Sequence, residues 1–201
     1  VGSGFSLKGG KFKINRIKSP IKVVWSRELP SKPSSCIVSQ NPSGQWHVSF
    51  ICETETRPHP KVDKFTGIDL GIESFATLSD GAKFKQPDSI RKIRRKLMRA
   101  QRNKDRKKKG SKNREKARTK LAKVHQKIVN IRTDFLQKLS TKIVRENQVI
   151  AIEDLAVERM IQKGNRKLAR LIGEQGWYSF KRMLDYKTNW RGRELVLVDK
   201  Y

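Results

Sequence analysis

The sequence has 201 residues, with 47 lysines and arginines against 19 aspartates and glutamates, and a formal net charge of +28 at pH 7. Self-repulsion at this charge opposes compaction, so the composition favours a polyanionic partner. Nucleic acid fits better than a membrane surface, because the charge is spread along the chain and no apolar run is long enough for a membrane span. Only two cysteines are present, which argues against a disulfide scaffold and suits a reducing compartment.

Residues 1–60 contain short runs rich in β-branched and aromatic residues, typical of strands. The expected strands are Lys11 to Ile14, Ile21 to Trp25, Cys36 to Ser39 and Trp46 to Cys52. The sequence Asn41-Pro42-Ser43-Gly44 is a turn signal, and a hairpin closed there would place Gln40 opposite Gln45 and Cys36 near Ser49. Cys52 would then lie too far along the strand to pair with Cys36, so both thiols are predicted to be free. Thr54 to Pro60 is predicted to be a linker.

A second region follows, in which strands and helices alternate. Strands are predicted at Phe65 to Leu70, Ser74 to Leu78, Ala82 to Lys85, Val149 to Ile152 and Leu195 to Val198, and a helix at Trp177 to Trp190. Two long helices are predicted between the third and fourth strands. This order predicts an α/β fold, α+β over the whole chain, with a mixed sheet and a helical insert at about residues 89–147.

The two long helices are predicted to form a basic hairpin. Ile90, Ile93 and Leu97 form an apolar stripe on the first helix, and Lys107-Lys108-Lys109-Gly110-Ser111 breaks it. The second helix has apolar residues at spacings of three and four: Leu121, Val124, Ile128, Ile131, Phe135, Leu139 and Ile143. Acids are nearly absent from this hairpin, which favours phosphate binding over the charged, solvated face of a coiled coil. The candidate phosphate-binding residues are Arg91, Arg94, Arg95, Arg99, Arg102, Arg106, Lys107, Lys108 and Lys109.

Two carboxylates stand at the ends of apolar strands, Asp69 and Glu153. In RNase H-like nucleases, acids from separate strands converge on Mg²⁺ ions that assist phosphodiester cleavage, and Mg²⁺ prefers hard oxygen ligands. The structural alternatives are that Asp69 accepts hydrogen bonds from turn amides, and that Glu153 pairs with an arginine. Asp154 is expected on the opposite face of its strand, in a structural role such as a helix cap. Asp199 is a weaker candidate for a third ligand.

Other chemistry has little support in the sequence. The histidines and cysteines show neither CxxC nor HxxxH spacing, so no zinc site is predicted within this chain. Gly67 and Gly71 do not form a phosphate-cradling loop, and no nucleophilic triad is indicated.

Thr66 to Ile72, Phe75 to Thr77 and Ile150 to Leu155 are separated motifs that follow one another in a fixed order. Together they resemble the TnpB/OrfB family of transposon-encoded, RNA-guided DNA endonucleases, which are related to compact type V CRISPR nucleases. The segment from Thr66 to Ile72, followed by Phe75-Ala76-Thr77, resembles the first RuvC motif of that family. Ile150 to Leu155 resembles the second RuvC motif. The resemblance extends over later positions, among them Trp177, Phe180, Leu184, Tyr186, Lys187, Trp190 and the run from Gly192 to Val196.

The resemblance implies a RuvC nuclease domain at residues 61–201 after a wedge-like antiparallel β-barrel segment at residues 1–60. It implies that Asp69 and Glu153 are catalytic ligands of Mg²⁺ or Mn²⁺, in a protein that binds a transposon-derived guide RNA and cuts target double-stranded DNA. Family members also have an N-terminal recognition part, and a zinc-binding CxxC segment and a third RuvC motif beyond Tyr201; zinc is expected only with that segment. A monomer in the prokaryotic cytoplasm, acting at the nucleoid, is expected.

Two alternatives remain open from the sequence. The chain could be a catalytically incomplete derivative that binds nucleic acid and regulates transposition. It could also be a conventional RNase H-like transposase, which joins DNA strands with the same metals.

Overall fold

The structure, a computed structural model, describes residues 4–199, which form two compact units that divide between Glu55 and Thr56. This division falls within the segment that the sequence predicts to be a linker.

The first unit begins with a hairpin of two strands, β1 (Phe5–Lys8) and β2 (Lys11–Ile14), which pair antiparallel. Gly9 and Gly10 both have positive φ angles, 53° and 72°, a conformation that tight two-residue hairpin turns require and that glycine adopts without strain. β2 was predicted from the sequence, whereas β1 was not.

A second hairpin consists of β3 (Ser35–Gln40) and β4 (Trp46–Ile51). The predicted register is wrong by one residue, because Gln40 pairs with Trp46 and Cys36 with Phe50. The cause is the side chain of Asn41, whose Oδ1 accepts hydrogen bonds from the amides of Ser43 and Gln45 and so extends the turn. Both cysteines are free, as predicted.

The described strands of the first unit do not close into the predicted β-barrel, but form two separate two-stranded sheets. The predicted strand from Ile21 to Trp25 is also wrong, since only a single bridge joins Ile21 to Phe12. Prolines at 20, 30 and 33 cannot donate to a ladder, which limits pairing in the intervening segment. Trp25 instead stacks on Phe50, with ring centroids 5.6 Å apart, in an aromatic cluster with Phe5 and Phe12.

The second unit contains a five-stranded mixed sheet, as predicted. Its strands are β5 (Phe65–Asp69), β6 (Ala76–Leu78), β7 (Lys83–Phe84), β8 (Val149–Glu153) and β9 (Glu194–Val198). Their order in the sheet is β7-β6-β5-β8-β9. The first three form an antiparallel meander, and β8 and β9 join parallel to β5.

Five helices belong to the described part of this unit. They are α1 (Asp88–Asp105), α2 (Lys112–Glu146), α3 (Val157–Lys163), α4 (Arg166–Gln175) and α5 (Trp177–Arg191). The predictions of α1, α2 and α5 are confirmed, and α3 and α4 were not predicted. Ser111 caps the start of α2, since its side chain accepts a hydrogen bond from the amide of Arg114. Gly110, the residue before this cap, has a φ of 78°.

One face of the sheet carries the core. Alternate residues of β5 and β8, such as Ile68 and Ile152, are buried against side chains from α2 and α5, including Leu136, Ile143 and Leu184. The N-terminal half of α2 packs instead against α1 through Ala117, Leu121 and Val124. Among the described residues, no helix is both long enough and apolar enough to cross a bilayer.

Candidate functional site

Asp69 ends β5 on the face of the sheet opposite the core. Strand alternation explains its position, since Thr66, Ile68 and Leu70 are buried while Asp69 is exposed. The chain turns immediately afterwards, and the turn favours glycine at position 71, because a Cβ there would lie only 3.0 Å from the carbonyl oxygen of Ser74. The strand and its tight turn therefore hold the Asp69 carboxylate at an accessible strand end.

Glu153 ends β8, the strand beside β5. Ile68 pairs with Ile152 in the parallel register, so the next residue on each strand places Asp69 beside Glu153 on the same face. Neighbouring strands lie about 4.8 Å apart, a separation that two carboxylates can bridge through one cation. Both residues line one shallow cavity of about 390 Å³ at this strand end, together with Gly67, Thr77 and Val198. Residues 84 positions apart in the sequence are thus brought together.

Neither structural alternative for these acids is observed. Asp69 accepts no hydrogen bond from a turn amide, and Glu153 forms no ion pair with an arginine, within residues 4–199. Asp69 and Glu153 are thus two adjacent carboxylates that have no cationic partner within residues 4–199, in a chain with 47 basic residues.

The other two candidate acids behave differently. The Asp154 carboxylate forms an ion pair with Lys181 of α5, 2.6 Å from its Nζ. The N-cap position of α3 is occupied by Ala156, so the suggested helix-cap role for Asp154 is wrong. Asp199 follows Val198, the partner of Glu153, so strand alternation directs it to the face opposite Glu153. Across residues 4–199, no cluster of three or more acids, histidines or cysteines could hold a metal ion.

A second cavity of about 440 Å³ adjoins Glu153 on its other side, between the segment after β8 and the start of α5. Tyr178 is 72% exposed at this cavity. Trp177 also lines it and is buried, and its Nε1 has no hydrogen-bond acceptor in the described part of the chain. Sequence reasoning assigned no role to these aromatic residues or to Lys181.

The predicted phosphate-binding residues of the hairpin fall into two groups. Arg91 lies 3.7 Å from Asp88, and Arg94 lies 3.4 Å from Glu174 of α4, so both have acidic partners. The remaining members are exposed and have no ion pair with any described residue: Arg95, Arg99, Arg102, Arg106, Lys107, Lys108 and Lys109.

A groove of about 710 Å³ runs between α1 and α2. Four lysines that the sequence analysis did not single out line this groove beside Arg99: Lys96, Lys120, Lys123 and Lys127. The available signal was their spacing on α2, because residues three and four apart share one face of a helix.

Comparisons with known proteins support the motifs. The sequence model of the OrfB_IS605 family, described as "Probable transposase", matches residues 49–171. The chain is 44% identical over 201 residues to a Streptomyces pristinaespiralis protein named "Putative RNA-guided DNA endonuclease", covering 99% of this chain and 50% of that protein. It is 36% identical over 188 residues to the Escherichia coli K12 protein "Putative RNA-guided DNA endonuclease InsQ", covering 86% and 46%.

A Mycobacterium tuberculosis H37Rv protein, "Putative RNA-guided DNA endonuclease Rv2885c", is 29% identical over 148 residues, covering 69% of this chain and 32% of that protein. The chain thus spans about half the length, or less, of the curated relatives it matches. Because the family model matches more than half of its residues, the chain belongs to the OrfB_IS605 family, the TnpB/OrfB family that its motifs indicated.

Proposed function

We propose that this chain provides the first two carboxylates of the catalytic site of an RNA-guided DNA endonuclease associated with a transposable element. The observation that carries the proposal is the position of Asp69 and Glu153 on adjacent parallel strands, on one face and lining one cavity. An antiparallel meander joined by two parallel strands, with acids at the ends of the first and fourth, fits the RNase H-like RuvC arrangement expected from the sequence. The names of the relatives support guide RNA and target DNA as partners.

The residues present fit Mg²⁺ or Mn²⁺ as the metal. Both donors are carboxylates, hard oxygen ligands, and both are accessible and without an ion pair inside the described range. Mg²⁺ usually keeps several water ligands, so two carboxylates can hold it weakly. When bound at such sites, the metal activates water and stabilises the leaving oxygen of a phosphodiester.

The protein itself supplies position and charge. β5 and β8 hold the two carboxylates at fixed strand ends, because the alternate residues of both strands are packed into the core. The exposed cations of the α1–α2 hairpin attract the phosphate backbone without selecting a sequence, so base pairing with the guide would supply the target sequence. Cleavage is proposed for the whole protein, of which this chain spans a part.

The test compares Asp69→Asn and Glu153→Gln with Asp185→Asn, which changes an exposed acid of α5 that has no ion pair within residues 4–199. Each substitution is made in this chain, where electron paramagnetic resonance measures Mn²⁺ binding. It is also made in the full-length protein, where cleavage of guide-matched DNA is measured. Asp69→Asn and Glu153→Gln should each lose both Mn²⁺ binding and cleavage while RNA still copurifies. Cleavage at the wild-type rate by either variant would refute the assignment.

Nucleic-acid binding without catalysis is a second candidate, favoured by the unpaired cations of the hairpin, which need no carboxylate to act. Sequencing the RNA that copurifies, together with Mg²⁺-dependent cleavage assays, separates these candidates. Guide-dependent cutting supports the endonuclease, bound RNA without cutting supports the binding role, and cutting without any RNA supports a conventional transposase.

A further inference from the structure

The groove between α1 and α2 has an apolar floor and basic walls. Ile93 and Ala100 of α1 and Ala117 and Val124 of α2 are buried or half-buried, and small alanine side chains allow the two helices to approach closely. The walls carry five exposed cations, two from α1 and three from α2: Lys96, Arg99, Lys120, Lys123 and Lys127. None of the described residues that line this groove is an acid.

These five cations are unpaired within the described chain, whereas some other cations of the hairpin have acidic partners. Arg118 lies 3.6 Å from Glu115, and Lys138 lies 2.7 Å from Asp134, whereas none of the five has an ion pair or side-chain hydrogen bond with a residue in 4–199. Like charges held on facing walls repel one another, and an anion placed between them would relieve that repulsion. The groove therefore selects an extended anion rather than a neutral ligand.

The spacing of the cations matches a polymer of phosphates. Lys127 lies seven residues after Lys120 on α2, a rise of about 10 Å at 1.5 Å per residue, with Lys123 between them. These three lysines line the groove opposite Lys96 and Arg99. The axes of packed helices lie about 8–10 Å apart, so cations on both walls are close enough to contact one backbone that lies along the groove. One strand of a duplex places a charge about every 3.4 Å along the axis, so roughly three phosphates lie within this length.

Two arginines of the hairpin, one on each helix, contact α4 instead of lining the groove. Arg94 contacts Glu174, and Arg132 of α2 donates a hydrogen bond of 3.1 Å to the carbonyl oxygen of Glu174. Both arginines therefore fasten the hairpin to α4, and they line a different cavity from the groove. The hairpin thus has an anchored side and a free basic side.

We propose that the groove binds a single phosphodiester backbone, of RNA or of one DNA strand, between Lys96 and Arg99 on one wall and Lys120, Lys123 and Lys127 on the other. This inference rests on the proposed function for nucleic acid as the ligand, and adds the location and mode of contact. Lysines contact phosphate as point charges, and contacts to phosphate carry no sequence information. Binding in the groove is therefore independent of base sequence.

The test uses the triple variant Lys120→Gln/Lys123→Gln/Lys127→Gln. Its control is Lys112→Gln/Lys116→Gln/Lys142→Gln, which removes three exposed lysines of α2 that lie outside the groove and have no ion pair within residues 4–199. Both remove the same charge from the same helix, and glutamine is a good helix former, so far-UV circular dichroism should match the wild type. Fluorescence anisotropy measures binding to labelled oligo-uridine RNA, oligo-thymidine DNA and a mixed-sequence DNA duplex between 50 and 300 mM salt, that is, over roughly the range in which phosphate contacts dominate affinity.

In the groove variant, the slope of log K against log salt concentration should become shallower by about two to three units, and binding should weaken at least about tenfold. In the control, the slope should change by less than about one unit. The probe with the largest loss identifies the backbone as RNA, single-stranded DNA or duplex. If the groove variant and the control lose the same amount of affinity and of slope, the proposal for the groove is overturned, whereas the proposed function is unaffected. If the wild-type chain binds none of the three probes, both the groove proposal and the proposed function are overturned. Asp69→Asn should bind all three probes as the wild type does.

Discussion

The carboxylate of Asp154 and the ammonium of Lys181, 2.6 Å apart, join the end of β8 to α5 one residue after Glu153. Both side chains are partly exposed, at 44% and 32%, so the pair is partly screened by solvent. Adjacent acids thus have separate roles, because alternation along the strand directs Glu153 to the cavity shared with Asp69 and Asp154 towards α5.

This arrangement predicts opposite effects for two neighbouring substitutions. Glu153→Gln removes an unpaired carboxylate, so we expect it to abolish Mn²⁺ binding and to change the free energy of unfolding by less than about 0.5 kcal/mol. Asp154→Asn breaks the ion pair, so we expect it to keep Mn²⁺ binding and to lower the free energy of unfolding by up to about 1 kcal/mol. Urea denaturation and Mn²⁺ titration measure the two quantities, and loss of metal in Asp154→Asn would contradict the separation of roles.

Phe75 is the aromatic centre of the core below the candidate site. It is 1% exposed and makes edge-to-face contacts with Phe135 and Phe180, with ring centroids 5.3 and 5.2 Å away. Replacing Phe75 by leucine keeps an apolar side chain but loses both ring contacts, so the free energy of unfolding should fall by about 1–2 kcal/mol.

The control is Phe65→Leu, because Phe65 is 66% exposed on the face of the sheet that carries Asp69. Its effect on the free energy of unfolding should stay within about 0.5 kcal/mol. Equal losses in the two variants, measured by urea denaturation, would show that Phe75 does not have the central packing role assigned to it.

Two glycines near the junction of α4 and α5 should respond to alanine in opposite directions. Gly176 has a φ of 80°, and a Cβ there would meet Arg132 Cδ at 3.3 Å and Leu136 Cδ1 at 3.4 Å. Gly176→Ala should therefore lower the free energy of unfolding by about 1–2 kcal/mol. Gly173 lies within α4 with open space around it, so Gly173→Ala should raise the free energy of unfolding by about 0.5–1 kcal/mol. Thermal and urea denaturation check both, and two changes of the same sign would contradict the backbone argument.

The sequence predicted the parts of the fold that depend on strong local periodicity. The apolar run from Val149 to Ile152 predicted β8, and the three-and-four spacing of apolar residues predicted α2. Both signals are local in the sequence. The register that pairs Ile68 with Ile152 joins distant parts of the sequence, so no local pattern predicts it. The expectation that Asp69 and Glu153 lie close together therefore came from the motifs.

The errors occur where side chains or single backbone bonds decide the local structure. The Asn41 side chain shifts the β3–β4 register, and Ile21 forms only one bridge although its segment has strand-like composition. The closed barrel depends on pairing between distant strands, which no local pattern specifies. The four lysines of the groove were missed, although Arg99 was predicted, because two helices must pack before Lys96 and Lys120 face one another.

Lys187 makes the stability of this fold depend on pH. Burial lowers the pKa of Lys187 to about 8, and its ammonium has three neutral acceptors: the Gln137 carbonyl, Ser140 Oγ and Thr141 Oγ1. Among the described residues it has no carboxylate partner. Below pH 8 the lysine is charged in both the folded and unfolded states, so the cost of burying the charge opposes folding in full.

Between pH 8 and the unfolded value of 10.5, the folded state releases a proton that the unfolded state retains, so this contribution to stability rises with pH. We therefore expect the difference in the free energy of unfolding between the wild type and Lys187→Met to shift in favour of the wild type across that window. Urea denaturation at pH 7, 8, 9 and 10 measures this difference. Thr141→Val removes one acceptor but keeps the lysine, so it should retain the pH dependence. If the difference between wild type and Lys187→Met stays constant from pH 7 to 10, burial does not control the protonation of Lys187, and its three hydrogen bonds are enough to hold the ammonium charged between α2 and α5.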